Sequence, residues 1–505
     1  MKQNKKRHHY LPVAAILFGI LFTFAIAIYV VTRWVDATYD LDFTTLIYTL
    51  VSPLKGTGDG VISTILEVCL PPVVFAVVIY IAAAFVLCQS RVSVSFSLRS
   101  ERVKIDLLKL LRRTGAVLCI VLLLVSCLFC NQVLGIGKWW GNQTKRTTIY
   151  EDYYVDPNSI NITSNEKPKN LIYIYLESAE TTYASVTDGG AQEINYIPNM
   201  TALAQENISF SNKEGLGGFY SPVGTQWTMG GLFTTTSGVP FSFPVERNSM
   251  TLYENFASGI TVLGDILQEK GYRQEFICGS DANFGGRRNY FTQHGNYDIF
   301  DYSTAIEKGY IESDYFVWWG YEDAILYEIA KDELTRLAAD KQPFNLTFLT
   351  VDQHYFNGYV CEKCGNEYDV QLANVLACSD RLLIDFIEWC KQQDFYEDTV
   401  IVISGDHPRM DTVLVENIDY TERTVYNCFI NTERTVALSE KNRKFTTMDM
   451  FPTVLYALGF DIEGDRLGLG TNLFSSEQTL AEKFGYAYID EELSKSSLYY
   501  ISHFS

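Results

Sequence analysis

Three uncharged, apolar stretches, at residues 11–32, 68–90 and 114–137, constrain this chain more than any other feature. A helix rising about 1.5 Å per residue needs about 20 residues to cross a hydrocarbon layer of about 30 Å, and each stretch is long enough. In lipid, backbone polar groups must be paired internally, so each is expected as a helix. The first is longer than a signal-peptide core and no clear small-residue cleavage site follows it, so it reads as a retained span. Basic residues set the orientation. Lys2, Lys5, Lys6 and Arg7 precede span one; Arg91, Arg99, Arg102, Lys104, Lys109, Arg112 and Arg113 lie between spans two and three. Both segments are expected in the cytoplasm, with loop 33–67 and everything after span three outside. Segment 43–51, apolar and aromatic, is either a strip on the outer membrane surface or a packed part of that loop.

The formal net charge of −20 is unevenly spread: a basic excess of 7 lies before residue 141 and an acidic excess of 27 after it. An acidic external part excludes a general nucleic-acid binder, which needs a basic face. It leaves room for a local basic pocket holding one phosphate. With 47% hydrophobic and 14% aromatic residues, disorder is excluded as well. The expected organisation is a transmembrane region over 1–137, a polar linker over 138–168 and an extracytoplasmic domain over 169–505.

Cys69, Cys88, Cys119, Cys127 and Cys130 lie in or beside the spans, where they act as small hydrophobes. Cys278, Cys361, Cys364, Cys378, Cys390 and Cys428 follow. Cys361-Glu362-Lys363-Cys364 is half of a zinc knuckle, but no second pair of that spacing follows. In an oxidising compartment the expectation is a disulfide joining Cys361 or Cys364 to Cys378, with connectivity left open.

Beyond residue 168 the pattern alternates. Runs at 170–176, 273–278, 344–351 and 399–404 are short, apolar and rich in β-branched and aromatic residues, as in strands buried on both faces. Helical patterns occupy 197–205, 261–270, 323–339, 368–393 and 447–458. The result is an α/β domain with a mostly parallel sheet flanked by helices. In such sheets ligands sit beyond the carboxyl ends of the strands, so the residues after each strand are the candidates.

Those residues are polar in a consistent way. The first strand runs into Leu176-Glu177-Ser178, the third into Asp352-Gln353-His354, and the fourth into Gly405-Asp406-His407. An adjacent Asp and His offer a cation one hard oxygen and one imidazole nitrogen. Of six histidines, His8 and His9 are on the N-terminal tail, and two of the other four follow strands at this one edge. Each alone reads best as a structural histidine; together they favour a site. Between the first two strands, Gly224-Thr225-Gln226-Trp227-Thr228 precedes a helical pattern, which puts Thr225 near a helix N-terminus where an anion is favoured. The competing reading of Thr225 is an N-cap. After the second strand, Cys278-Gly279-Ser280-Asp281 leads to two glycines and Arg287-Arg288, either a phosphate clamp or a surface pair.

Taken in order, Glu177-Ser178-Ala179-Glu180, Gly224-Thr225-Gln226-Trp227-Thr228, Ser237-Gly238-Val239-Pro240 and Arg466-Leu467-Gly468-Leu469-Gly470 resemble the sulfatase and alkaline phosphatase superfamily. Within it the chain is similar to the lipoteichoic acid synthase-like branch, and most to phosphoglycerol transferase I, which decorates periplasmic glucans. The resemblance covers roughly residues 168–475 and implies an alkaline-phosphatase-like fold. It implies one divalent cation, Mn2+ with Mg2+ or Zn2+ as alternatives, held by Glu177, Thr225, Asp406 and His407. It makes Thr225 the covalent nucleophile and places Arg287 and His354 on the substrate phosphate, with Trp227 and Asp281 expected beside them. Phosphatidylglycerol is the implied donor and a glycan or glycolipid hydroxyl the acceptor, a neutral glycan being favoured by the acidic surface. The implied location is a bacterial cell membrane, multi-pass. Alternatives are phosphoethanolamine transfer, glycerol-phosphate polymerisation, and an inactive metal-stabilised glycan-binding protein. Lipoteichoic acid synthases carry His and Trp where this chain has Cys278 and Gly285, and have five spans rather than three, which argues against polymerisation. The C/S-x-P-x-R nucleophile setting of sulfatases is absent at Thr225.

Overall fold

A computed structural model describes residues 13–39, 43, 46–47, 60–89, 93–98, 101–164, 169–242 and 256–504. Segment 43–51 therefore lies largely outside the described residues. The chain divides into two compact units, one of residues 1–43 and 59–138, the other of residues 44–58 and 139–505.

The first unit holds helix α1 (Val13–Thr38), helix α2 (Gly60–Gln89), strands β1 (Ser93–Leu98) and β2 (Glu101–Asp106), and helix α3 (Leu107–Leu134). All three helices are long and apolar enough to cross a membrane. Leu17, Phe24, Phe75 and Leu128 point outward and stay exposed, as lipid-facing side chains do. Tyr80 of α2 stacks on Phe22 of α1 and donates its hydroxyl to the Ala15 carbonyl at 2.7 Å. Gly19 leaves the room this needs, since a Cβ there would come within 2.7 Å of the Tyr80 ring. The antiparallel hairpin of β1 and β2 was not expected between the spans.

The second unit is built on strand β3 (Asn170–Leu176), helices α4 (Pro198–Glu206), α5 (Thr228–Ser237) and α6 (Leu263–Glu269), strand β4 (Arg273–Cys278), helix α7 (Arg287–Gln293), strand β5 (Asp298–Phe300), helix α8 (Asp323–Ala339), strand β6 (Phe344–Leu349), helix α9 (Gln371–Cys390), strands β7 (Thr399–Gly405) and β8 (Asn427–Ile430), and helix α10 (Met450–Ala457). The strands form one six-stranded sheet in the order β5-β4-β6-β3-β7-β8, parallel except for β8. Side chains alternate across it. Leu171, Tyr173 and Tyr175 of β3 join the core that contains α5 and α10, while Ile172, Ile174 and Leu176 join the core that contains α8 and α9. Burial on both faces explains the unbroken apolar runs, and the fold is the mostly parallel, helix-flanked sheet that those runs imply.

The entry into this unit differs from expectation. Within the stretch read as a linker, Ile149 and Tyr150 are buried, and Tyr150 meets Tyr500 and Phe504 edge-on. Strand Ile162–Thr163 pairs with Asp461–Ile462. Polar neighbours hid a short apolar patch that docks against the chain's last helix.

Candidate active site

Four adjacent strands, β4, β6, β3 and β7, end at the same edge, and their following loops make the site. The chain turns sharply after β3, with Ser178 in the left-handed region at φ 52°. Ser178 Oγ donates to Glu177 Oε1 at 2.8 Å, and the Glu177 N–H donates to Thr350 Oγ1 after β6. At the end of β7, Gly405 passes so close to the first loop that a Cβ would lie 2.4 Å from the Ala179 carbonyl. That approach lets Asp406 Oδ1 accept from the backbone N–H groups of Ser178 and His407, both at 2.8 Å.

Glu177, Asp406 and His407 are buried and bring three donor atoms within 4.8 Å of one another. His407 Nδ1 lies 2.7 Å from the Pro408 carbonyl. Only a protonated Nδ1 can bond there, which turns the Nε2 lone pair toward the acids. Nε2 is 3.4 Å from Asp406 Oδ2 and 3.6 Å from Glu177 Oε1. Asp406 Oδ2 is buried with no hydrogen-bond partner. Burial, reinforced by Glu177, pushes the Asp406 carboxyl up to about 7. Burial also disfavours the His407 imidazolium, but Asp406 and Glu177 outweigh it and raise its pKa. An orphaned carboxylate oxygen beside a second carboxylate and an imidazole lone pair is a donor set that fits a divalent cation.

Thr225, expected among these groups, is elsewhere. It is fully buried, its hydroxyl donates to the Pro222 carbonyl at 2.8 Å, and Thr447 Oγ1 lies 3.4 Å away. The helix starts three residues later than the glycine suggested, with Trp227 as N-cap. Thr228, its first residue, takes the position expected of Thr225. Its Oγ1 is 3.4 Å from Glu177 Oε2 and 3.3 Å from His407 Nε2. It is only partly buried, so a substrate can reach it. Gly231, one turn on, lets α5 press against the β7 loop; a Cβ there would sit 2.0 Å from the Asp406 carbonyl.

A cavity opens over Thr228 and Glu177, lined also by Cys278, Ser280, Phe284, Arg287, Trp319, Leu349, Thr350, Val351 and His354. Arg287 is aimed by three hydrogen bonds, to the carbonyls of Phe284 and Asp281 and to Ser280 Oγ. Arg288 instead pairs with Asp301. His354 is held by Nδ1 against the Tyr355 carbonyl and by an edge-on contact with Trp319 at 4.7 Å. Two expected substrate contacts do not line the cavity. Trp227 is buried edge-on against Phe241, and Asp281 spends its carboxylate on Asn283 in a local turn.

A fully buried ion network behind the candidate metal ligands was not anticipated. Arg409 grips Asp411 through Nε and Nη2 at 2.5 and 2.6 Å. Arg423 reaches Glu180 Oε1 at 2.5 Å and the Arg409 carbonyl at 2.5 Å, and Glu180 Oε1 accepts the Arg409 N–H. The network ties the loop after β7 to the loop after β3. A signal was present in the sequence, because Glu180 and Arg409 stand three and two residues past Glu177 and His407, two of the candidate metal ligands.

A family model described as Sulfatase matches residues 169–460. Phosphoglycerol transferase I of Xanthomonas axonopodis pv. citri is 29% identical over 339 residues, covering 65% of this chain and 45% of that protein. Phosphoglycerol transferase I of Escherichia coli (strain SMS-3-5) is 30% identical over 342 residues, covering 66% of this chain and 42% of that protein. The chain thus spans less than half the length of these curated relatives. A solved structure from Vibrio parahaemolyticus, of a protein in the alkaline phosphatase superfamily, aligns with a TM-score of 0.50 at 23% identity, over 65% of this chain and 76% of that one. That likeness shows the fold. The family model matches more than half of the sequence and takes in every strand of the six-stranded sheet, and this chain belongs to the sulfatase family.

Proposed function

We propose that this chain transfers a phosphoglycerol group from phosphatidylglycerol to a glycan or glycolipid hydroxyl, with Thr228 as nucleophile. The observation that carries the reading is Thr228 itself, a partly buried hydroxyl at the first position of α5, between Glu177 and His407 and facing Arg287 and His354 across one cavity. Support for the donor comes from the three apolar helices, which suit a lipid substrate, and from the name of the curated relatives.

Glu177, Asp406 and His407 would hold one divalent cation, Mn2+ or in its place Mg2+ or Zn2+. When bound, it supplies Lewis acidity to a hydroxyl and to phosphoryl oxygens. Thr228 Oγ1 attacks phosphorus, its proton passing to the Glu177 carboxylate that already accepts it. The bond from phosphorus to the diacylglycerol oxygen breaks, and that oxygen takes the Nε2 proton of a His354 imidazolium, whose Nδ1–H stays on the Tyr355 carbonyl; the incoming glycan hydroxyl returns a proton to Nε2 in the second step. Arg287 holds the phosphoryl oxygens as negative charge builds, and the positive end of α5 adds to this. A glycan hydroxyl then attacks the phospho-Thr228 ester in the reverse sense and carries the phosphoglycerol away. Following the basic residues, the site would face outward, with the N-terminus in the cytoplasm. The acidic surface favours a neutral glycan acceptor.

The test uses full-length protein in vesicles containing headgroup-labelled phosphatidylglycerol and Mn2+. Thr228→Ala is expected to lose at least about 10³-fold in diacylglycerol release, as nucleophile removal does. Thr225→Ala is expected to stay within about 10-fold of wild type, since it removes packing and one hydrogen bond. A labelled Thr228 peptide in the wild type is the second readout. Wild-type release by Thr228→Ala sinks the assignment, and preference for a phosphatidylethanolamine donor sinks the phosphoglycerol reading.

A further inference from the structure

The three cysteines expected to form a disulfide form a cluster instead. Cys361 Sγ is 3.6 Å from Cys364 Sγ and 3.8 Å from Cys378 Sγ, and all three sulfurs lie within 4.8 Å of one another. Sulfurs sharing a tetrahedral zinc, with Zn–S near 2.3 Å, stand roughly 3.8 Å apart. A disulfide would bring one pair to about 2.0 Å and leave the third cysteine over. Cys361 and Cys378 are buried. The Cys364 N–H donates to the Cys361 carbonyl at 3.0 Å, the tight turn that lets two cysteines three apart face one point. Asp352, close enough to Cys361 for the two to interact electrostatically though outside that 4.8 Å cluster, is buried with Oδ1 lacking any hydrogen-bond partner. None of the three cysteines lines the cavity over Thr228.

We propose that Cys361, Cys364 and Cys378 bind a zinc ion through three thiolates, at a site separate from the catalytic centre. Three S–H protons leave to solvent as three zinc–sulfur bonds form; no electron changes hands. An oxygen donor completes the tetrahedron. The ion fastens the loop that follows β6, which carries His354, to the middle of α9. Neutral hydrogen bonds join the same loop and helix: Gln371 to the Gly358 carbonyl at 2.8 Å, Gln353 to Ser379 Oγ at 2.7 Å, and the Asn374 side chain to the Tyr368 backbone. The site thereby positions His354 without touching substrate, and it stands whether or not the phosphoglycerol reading holds.

Full-length protein purified without chelator and loaded with Co2+ decides the matter. Thiolate–cobalt charge transfer gives a near-ultraviolet band that oxygen and nitrogen ligands do not. The band is expected in wild type and in Glu177→Gln, and absent in Cys361→Ser and Cys378→Ser. Cys378→His, which keeps a ligand, is expected to retain the zinc equivalent that Cys378→Ser loses on dialysis. Amide exchange across 352–364 should rise when zinc is stripped. The proposal is overturned by absence of the band in wild type, by a mass deficit of one disulfide among the three cysteines, or by equal zinc loss in Cys378→His and Cys378→Ser.

Discussion

Thr225 and Thr228 stand three residues apart, and the difference between them is where α5 begins. A residue three positions before a helix lies on the incoming loop, here turned into the core against Pro222 and Thr447. The first residue of the helix stands at the open positive end. From the residues alone Gly224 looked like the last break before the helix, so the nearer threonine drew the assignment. What decides it is Trp227, whose extended backbone at φ −146° and ψ 159° delays the helix to Thr228. A second residue-scale consequence concerns Arg423. It and Glu180 are both buried, so truncating either leaves an uncompensated charge. Arg423→Met is expected to destabilise the protein by about 3–5 kcal/mol. Arg434→Met, which breaks the more exposed pair with Asp461, should cost less than about 1 kcal/mol. Urea unfolding of the two variants checks both values, and similar midpoints would show that burial does not set the difference.

At the scale of elements, legibility followed burial. Strands β3, β4, β6 and β7 were readable because both faces are covered and nothing interrupts the apolar run. The edge strand β5 is three residues long and begins with an exposed aspartate, and β8 begins with Asn427, a polar residue whose side chain bonds the Phe210 backbone. Neither carries a pattern that periodicity can find. The site was legible to the same degree. Glu177, Asp406, His407, Arg287 and His354 could be placed because each follows a readable strand or its loop. Trp319 could not, since it reaches the cavity from irregular chain with no period at all. The contact between α5 and the β7 loop is the element-level feature most open to test. Gly231 is the one residue type that allows it, since an added Cβ would overlap the Asp406 carbonyl. Gly231→Ala should push helix and loop apart and lower divalent-cation affinity about 10–100-fold, the range seen when ligands lose their supporting contacts. Titration calorimetry with Mn2+ reads this directly; unchanged affinity would mean the loop holds its ligands without the helix.

The whole molecule joins a membrane-type helical unit to an acidic α/β unit, and the charge asymmetry between them has a kinetic consequence. Phosphatidylglycerol vesicles are anionic, and an acidic domain free in solution is repelled by them. Tethering the domain through α1–α3 replaces that encounter with a local concentration set by the chain itself. A fragment of residues 139–505 retains the six-stranded sheet and both of its cores, so it should keep its chemistry on a short-chain, water-soluble donor, within about threefold of the full chain. On vesicle phosphatidylglycerol the same fragment should turn over about 10²–10⁴-fold more slowly. Raising the salt should recover part of that loss, because screening shortens the reach of the repulsion to about 8 Å at physiological ionic strength. The full chain should respond little to salt in the same assay. Equal vesicle rates for fragment and full chain would show that the apolar helices do more than deliver the donor, or that the donor is not a membrane lipid. A loss that salt does not relieve would place the helices within the donor site, where they would contribute contacts as well as proximity.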